Sequence, residues 1–191
     1  FHLAYPFLLE SNGELYMCPE TCQSNEIRLY RCVDFPLKWS LEKTLIKDVS
    51  AADTNIFYRD GRWWLLTAID SGELDDHCSE LHVFWSDELL SDTWQSHPKN
   101  PVIFDSLRAR NGGLLFKEGD VYRVFQRQGW DLYGEAFGVA KISKLTESTY
   151  DEDIQFTVEP KFFDGLKGTH TYSFKDGLLA IDFVEIVNHT K

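Results

Sequence analysis

One hairpin pattern occurs four times along this chain and restricts its fold more than any other feature. The copies are PFLLESNGELYMCPE (6–20), NIFYRDGRWWLLTA (55–68), LLFKEGDVYRVFQ (114–126) and YSFKDGLLAIDFV (172–184). Each joins two apolar runs through a polar tip that ends in glycine. The tip glycines Gly13, Gly61, Gly119 and Gly177 stand 48, 58 and 58 residues apart. Periods of this size in a strand-rich chain belong to propellers and arrays, with one supersecondary unit per repeat. Asn12-Gly13, Asp60-Gly61 and Asp176-Gly177 tolerate positive φ at both central positions, which a two-residue type I′ hairpin requires. Glu118-Gly119 is a weaker version of the same signal.

Each full repeat has a second half. EIRLYRCVD (26–34) and WSLEKTLI (39–46) alternate as strands around an FPLK turn. ELHVFWSD (80–87) is followed by ELLSDTWQSHPKNPVI (88–103), and EAFGVAKIS (135–143) by LTESTYDEDIQFTVEP (145–160). Four antiparallel strands per repeat make one propeller blade. The expectation is an all-β, five-bladed β-propeller with about four blades in this chain. They form one incomplete domain over 1–191, with blades at about 1–48, 49–104 and 105–165 and a partial blade at 166–187. No ordinary helix fits; SDELLSD and LTESTYDED are expected to form at most single turns.

The chain starts at FHLAYPF, with no initiator Met and no signal-peptide pattern. It therefore reads as a piece of a longer protein, with a further blade expected before Phe1. A net charge of −12 argues against binding a phosphate backbone or an anionic membrane surface. No apolar run reaches the length of a membrane span. The acidic loop runs Glu73–Asp76 and Asp151–Asp153 read as solvated tips, and Asp75, Asp76 and His77 as surface. Cys18 and Cys22 lack a second pair or a His at ligand spacing, so no metal site is expected. Free thiols at Cys18, Cys22, Cys32 and Cys78 fit a cytoplasmic setting, and a secretory lumen fits if the chain is part of a larger protein. Cys18 and Cys32 fall on neighbouring strands. No cofactor is expected.

Residues at equal distance from the tip glycine occupy equivalent places around a propeller axis. Eight positions before it stand Tyr5, Asp53, Asn111 and Thr169; seven after it stand Glu20, Ala68, Gln126 and Val184. Of these, Glu20, Asp53, Asn111, Gln126 and Thr169, with Arg108, Arg110 and His170, make a polar ring suited to hydrogen-bonding a sugar. Each residue keeps a bland alternative. Asp53 can cap a turn, Glu20 can be a solvated strand end, and His170 can be a core histidine. Arg108 and Arg110 either pair with Asp53 and Glu20 across the channel or contact substrate, arginine being suited to two parallel bonds to an anion.

Two resemblances extend this reading. SAADTNIFYRDGRWWLLTA and HVFWSDELLSDTWQSHPKNPV resemble blades of the five-bladed propeller clan of arabinanases, levansucrases and invertases. Asp53 matches the clan residue that tunes the acid's pKa and fixes the substrate. The clan's acid position is held here by Arg110-Asn111, and its base is absent. Only Asp53 and Glu20 remain as catalytic candidates, and glycosidases need two placed carboxylates. Along nearly the whole chain, HLAYPFLLESNGELYMCPET, EIRLYRCVDFPLKWSLEK, DVSAADTNIFYRDGRWWLL and GTHTYSF resemble the propeller N-terminal to the catalytic part of plant glucosamine inositolphosphorylceramide transferase. That resemblance implies a carbohydrate-recognising domain associated with glycan or glycolipid biosynthesis. Its partners would be a saccharide, sugar-phosphate or glycolipid headgroup and a fused or neighbouring transferase domain. The alternative is an active glycoside hydrolase or transglycosidase whose base lies on an upstream blade.

Overall fold

The computed structural model describes residues 3–72, 74–130 and 132–185. They form a succession of twisted antiparallel sheets. Blade 1 contains β1 (Ala4–Ser11), β2 (Glu14–Glu20), β3 (Glu26–Asp34) and β4 (Lys38–Lys47), in that order. Blade 2 contains β5 (Ala51–Arg59), β6 (Arg62–Ile69) and β7 (Glu80–Ser86), with β8 (Gln95–Ser96) and β9 (Ile103–Phe104) both on β7. Blade 3 contains β10 (Asn111–Lys117), β11 (Asp120–Arg127), β12 (Ala136–Leu145) and β13 (Tyr150–Val158). In blade 4 the hairpin is interrupted. β15 (Tyr172–Lys175) pairs β16 (Leu178–Ile181), and β14 (Leu166–Gly168) pairs β17 (Val184–Glu185).

All four hairpin tips adopt the same turn. Asn12, Asp60, Glu118 and Asp176 have φ between 51 and 53°, and the glycine after each has φ between 79 and 84°. The weak tip at Glu118-Gly119 is conformationally equal to the others, because its flanking strands impose the register.

The outer part of blade 2 differs from the expected single fourth strand. Pro98 and Pro101 cannot donate to a ladder, so the segment breaks into β8 and β9. The Asn100 side chain fills the gap: its Oδ1 accepts from Val83 N–H and its Nδ2 donates to Val83 C=O, both at 2.8 Å. SDELLSD makes a single turn, with Ser91 N–H bonded to Glu88 C=O. In LTESTYDED the turn at Thr146–Thr149 leads straight into β13. A short 3-10 turn at Cys22–Ser24 was not foreseen. The four cysteines are free thiols; Cys18 is buried and the rest half-buried.

Alternation on the inner strands divides the core between blade interfaces. Ile56 and Leu65 pack against Tyr16, Cys18, Ile27 and Leu29 of blade 1. Their neighbours Phe57, Trp64 and Leu66 face Leu114, Val121 and Ile142 of blade 3. Val124, Phe137 and Val139 pack against Tyr172 and Ile181 of blade 4. Asp151–Asp153 lie in β13 rather than at a solvated tip, and there Glu152 forms a buried ion pair with Arg123 at 2.6 Å, because the alternation of the strand turns it into the blade. Tyr150 Oη also donates to Glu152, at 2.6 Å.

The inner strands β1, β5, β10 and β15 touch in succession. The first three open with a β-bulge, at Ala4/Phe7, Ala52/Asn55 and Asn111/Gly113. Bulges re-aim side chains, and here they direct them across to the next blade. Tyr5 Oη donates to Asn55 Oδ1 at 2.8 Å. Asn55 Nδ2 donates to the Gly113 carbonyl at 3.3 Å. Asn111 Nδ2 donates to the carbonyls of Asp53 at 2.8 Å and Leu66 at 3.0 Å.

Candidate functional site at the channel mouth

The strands run so that the end of β2, the start of β5, the start of β10 and the end of β11 lie at one end of the channel. Glu20, Asp53, Arg110 and Gln126 come from these four places, on three blades. Asp53 sits in the β5 bulge with φ 50°, left-handed for a non-glycine residue. Such strain of about 1–3 kcal/mol persists only where surroundings over-determine it. Here they do. Arg110 Nε donates to Asp53 Oδ2 at 2.6 Å, and Gln126 Nε2 donates to the same oxygen at 2.7 Å. Gln126 Nε2 also reaches the Asn111 carbonyl at 2.7 Å. Arg110 Nη2 reaches Glu20 Oε2 at 3.3 Å. The side chains of Asp53, Glu20 and Arg110 are 4, 10 and 13 % exposed.

One guanidinium thus faces two carboxylates. Burial pushes the Asp53 carboxyl up from its ordinary value; Arg110 pulls it back and the nearby Glu20 adds to the rise. Burial opposes the Arg110 cation, but the adjoining Asp53 carboxylate more than offsets this and holds it firmly protonated. Arg110 Nη1 meets the Cys78 sulfur at 3.9 Å, a weak contact. Cys22 Sγ donates to Glu20 Oε1 at 3.4 Å. Burial raises both thiols, with Glu20 adding to the rise at Cys22. They are therefore poor nucleophiles, because reactivity needs the thiolate.

An aromatic wall closes the other side. The Arg110 guanidinium lies over the Tyr133 ring at 5.2 Å, and Tyr133 meets the His170 ring edge-on at 5.1 Å. Burial pushes the Tyr133 hydroxyl up to about 12. The His170 ring sets its Nδ1 against Asp182 Oδ2, and Asp182 Oδ1 accepts from the His170 and Thr171 backbone N–H groups at 2.9 and 2.7 Å.

Asp53, Glu20, Arg110 and Gln126 therefore share direct bonds, and His170 joins them through Tyr133. Asn111 and Thr169 support the mouth: both are fully buried, and Thr169 Oγ1 bonds the Asp182 carbonyl at 2.8 Å. Arg108 does not pair with Asp53 or Glu20. Its side chain bonds Asp105 at 3.2 Å, two residues outside the bulge that aims Arg110 inward. Asp75 is exposed, as expected, whereas Asp76 and His77 are half-buried rather than on the surface: Asp76 Oδ1 accepts from Cys78 N–H and His77 lies against Ser50 Oγ, both at 2.8 Å. Glu73 lies outside the described residues. Tyr133, Cys22, Cys78 and Asp182 escaped the sequence reading because they lie outside the two positions counted from each glycine. Cys22, two residues past Glu20, and Tyr133, in the loop after Gln126, were reachable by extending the count into the loops at the same end.

The profile of the family described as glucosamine inositolphosphorylceramide transferase 1, N-terminal, matches residues 1–175. Glucosamine inositolphosphorylceramide transferase 1 of Arabidopsis thaliana is 37 % identical over 163 residues, 83 % of this chain and 21 % of that protein. Its counterpart in Oryza sativa subsp. japonica is 40 % identical over 155 residues, 80 % of this chain and 20 % of that protein. The chain thus spans about a fifth of the length of these curated relatives. An exo-beta-1,3-galactanase from Phanerochaete chrysosporium superposes with TM-score 0.65 at 10 % identity, over 98 % of this chain and 45 % of its own. An endo-arabinase from Bacteroides thetaiotaomicron gives 0.60 at 16 % identity, over 94 % of this chain and 62 % of its own. These likenesses give the fold, the five-bladed propeller, of which four blades are seen here. By the profile match and by 37–40 % identity to plant relatives, the chain belongs to the family of the N-terminal domain of glucosamine inositolphosphorylceramide transferase 1.

Proposed function

We propose that this domain is a carbohydrate-recognising propeller serving glycan or glycolipid assembly, and that it holds a saccharide at the channel mouth while transfer chemistry occurs elsewhere in the longer protein. The observation that carries this reading is the engagement of both mouth carboxylates by one guanidinium. A glycosidase needs one carboxyl free to protonate a leaving group and another free to attack or activate water. Asp53 and Glu20 instead hold Arg110, with Gln126 fixing Asp53 from the other side. Arg110 is already engaged by two carboxyl groups, which leaves it less available to a sugar-phosphate and favours a neutral sugar or uncharged part of a glycolipid headgroup. Arg110 Nη1 and Glu20 Oε1, each in weak contact with a thiol, are the donor and acceptor such hydroxyls would meet.

The hydrolase alternative draws on one observation, the upward-shifted Asp53 carboxyl. Calorimetry of the full-length protein against a panel of neutral saccharides, with reducing-sugar release assayed in parallel, separates the two. The expected result is binding without release, and about a tenfold or greater loss of affinity in Glu20→Gln, as one charge-assisted hydrogen bond weakens. Release of sugar would favour the hydrolase. Absence of binding, or a Glu20→Gln variant that binds like the parent, would remove the carbohydrate assignment.

A further inference from the structure

Trp130 is the one tryptophan the fold leaves wholly in water. Its side chain is fully exposed, whereas Trp39, Trp63, Trp64, Trp85 and Trp94 are buried or half-buried in the blades. A single exposed apolar residue needs no explanation by itself. Trp130 differs in where it stands and in how firmly its loop is held.

The loop joins β11 to β12 at the mouth end of the channel. Its stem is fastened at several points. Gly129 N–H donates to the Leu132 carbonyl at 2.8 Å, which folds the loop back with Trp130 at its tip. Gly134 N–H donates to Gln128 Oε1 at 2.9 Å, and the Gly134 carbonyl accepts from Thr169 N–H at 3.0 Å, tying the stem to blade 4. Arg127 pairs with Glu135 at 3.3 Å and with Glu159 at 2.8 Å. Gly134 admits no side chain, because a Cβ there would lie 2.8 Å from the His170 ring. The loop therefore presents Trp130 from a fixed base.

The same loop places Tyr133 against Arg110 and His170. Two residues lie between Trp130 and Tyr133, so their Cα atoms are no more than about 10 Å apart. That bound keeps Trp130 within reach of a ligand that extends past Tyr133. A pyranose has a hydroxyl rim and a C–H face. The rim matches the hydrogen-bonding mouth, and the face matches an uncharged, solvent-exposed indole.

We propose that Trp130 is the stacking platform of a second sugar subsite beside the mouth, so that the ligand class is a neutral saccharide of at least two rings. This inference rests on the carbohydrate reading of the mouth. Covering a pyranose C–H face with the indole removes apolar surface from water, which favours a ligand long enough to reach it.

The test is a titration of the full-length protein with galactose, galactobiose and galactotriose, and with the glucose and mannose series of the same lengths. Parent, Trp130→Ala, Trp130→Phe and Glu20→Gln are compared. Trp130→Ala is expected to weaken two- and three-ring ligands about tenfold while changing one-ring affinity less than about twofold, and Trp130→Phe to restore most of the loss. Acrylamide quenching, taken as the difference between parent and Trp130→Phe, should show an accessible indole that becomes protected only when a two-ring ligand binds. Equal affinity of Trp130→Ala and parent for two-ring ligands would overturn the subsite, while a Glu20→Gln loss in the same series would leave the mouth reading standing. An indole already protected in the unliganded full-length protein would show that another part of that protein covers it, which also overturns the proposal. Failure of every saccharide to bind the parent would remove both readings.

Discussion

Asp182 shows how one residue joins site geometry to stability. Burial pushes its carboxyl up, but the His170 ring and two backbone N–H groups more than reverse this and bring it to about 2. A carboxyl depressed in the native state binds its proton less tightly there than in the unfolded chain. Its stabilisation is therefore complete above the unfolded value near 4 and is lost as pH falls from about 4 to about 2. Its side chain is one-third exposed, so solvent screening reduces the contribution to about 1 kcal/mol. The thermal midpoint of the parent should exceed that of Asp182→Asn near pH 5, and the margin should close as pH falls to about 2. A margin independent of pH would show that the His170–Asp182 pair does not hold the fourth blade. Arg110 stands in a different position, since truncating it would leave Asp53 buried without its cation. Breaking a buried pair in this way costs about 3–5 kcal/mol, which is why Glu20→Gln is the better probe of binding.

At the scale of the element, the bulges opening β1, β5 and β10 give the mouth its polarity. Tyr5 and Asp53, eight residues before their glycines, both take left-handed φ, 43 and 50°. In blade 3 the positive φ shifts to Gly113, at 143°. There β10 and β15 approach so closely that a Cβ on Gly113 would lie 2.3 Å from the Tyr172 carbonyl oxygen, and one on Gly112 would lie 2.5 Å from that of His170. Neither contact can relax by a side-chain rotation, because both partners are backbone. Gly113→Ala should lower stability by more than about 3 kcal/mol, through strain and backbone clash together. Hydrogen exchange should show the loss first in β15 and β16, with blade 1 still protected. Uniform protection in both blades would mean that the close approach is not required.

For the whole molecule, the governing quantities are the three inter-blade cores and the net charge of −12. The cores position four inner strands within bonding distance of one another. The charge sets which ligands approach. A neutral saccharide gains nothing from the field, so its affinity should change less than about twofold between low and moderate salt, where the Debye length falls from about 30 to about 8 Å. A sugar-phosphate, repelled at long range, should bind better as salt is raised. Calorimetry across that range decides between them: an affinity that falls steeply with salt would indicate an anionic group held by attraction and contradict the neutral assignment.

The repeat, the tip glycines and the period-2 alternation made the blade architecture legible from the residues, because hairpin chemistry is local. Equal spacing from those glycines also located Glu20, Asp53, Asn111 and Gln126, since equivalent positions in a propeller share a radius. Local rules could not separate Arg108 from Arg110. Both precede the same strand, and the bulge that turns Arg110 onto Asp53 leaves Arg108 with Asp105. Nor could they reveal that Asn100 stands in for a strand residue, or that Tyr133 reaches Arg110. Those contacts join segments that meet only when the blades close around the axis. Tertiary packing decided them, because burial there sets which polar groups must find each other.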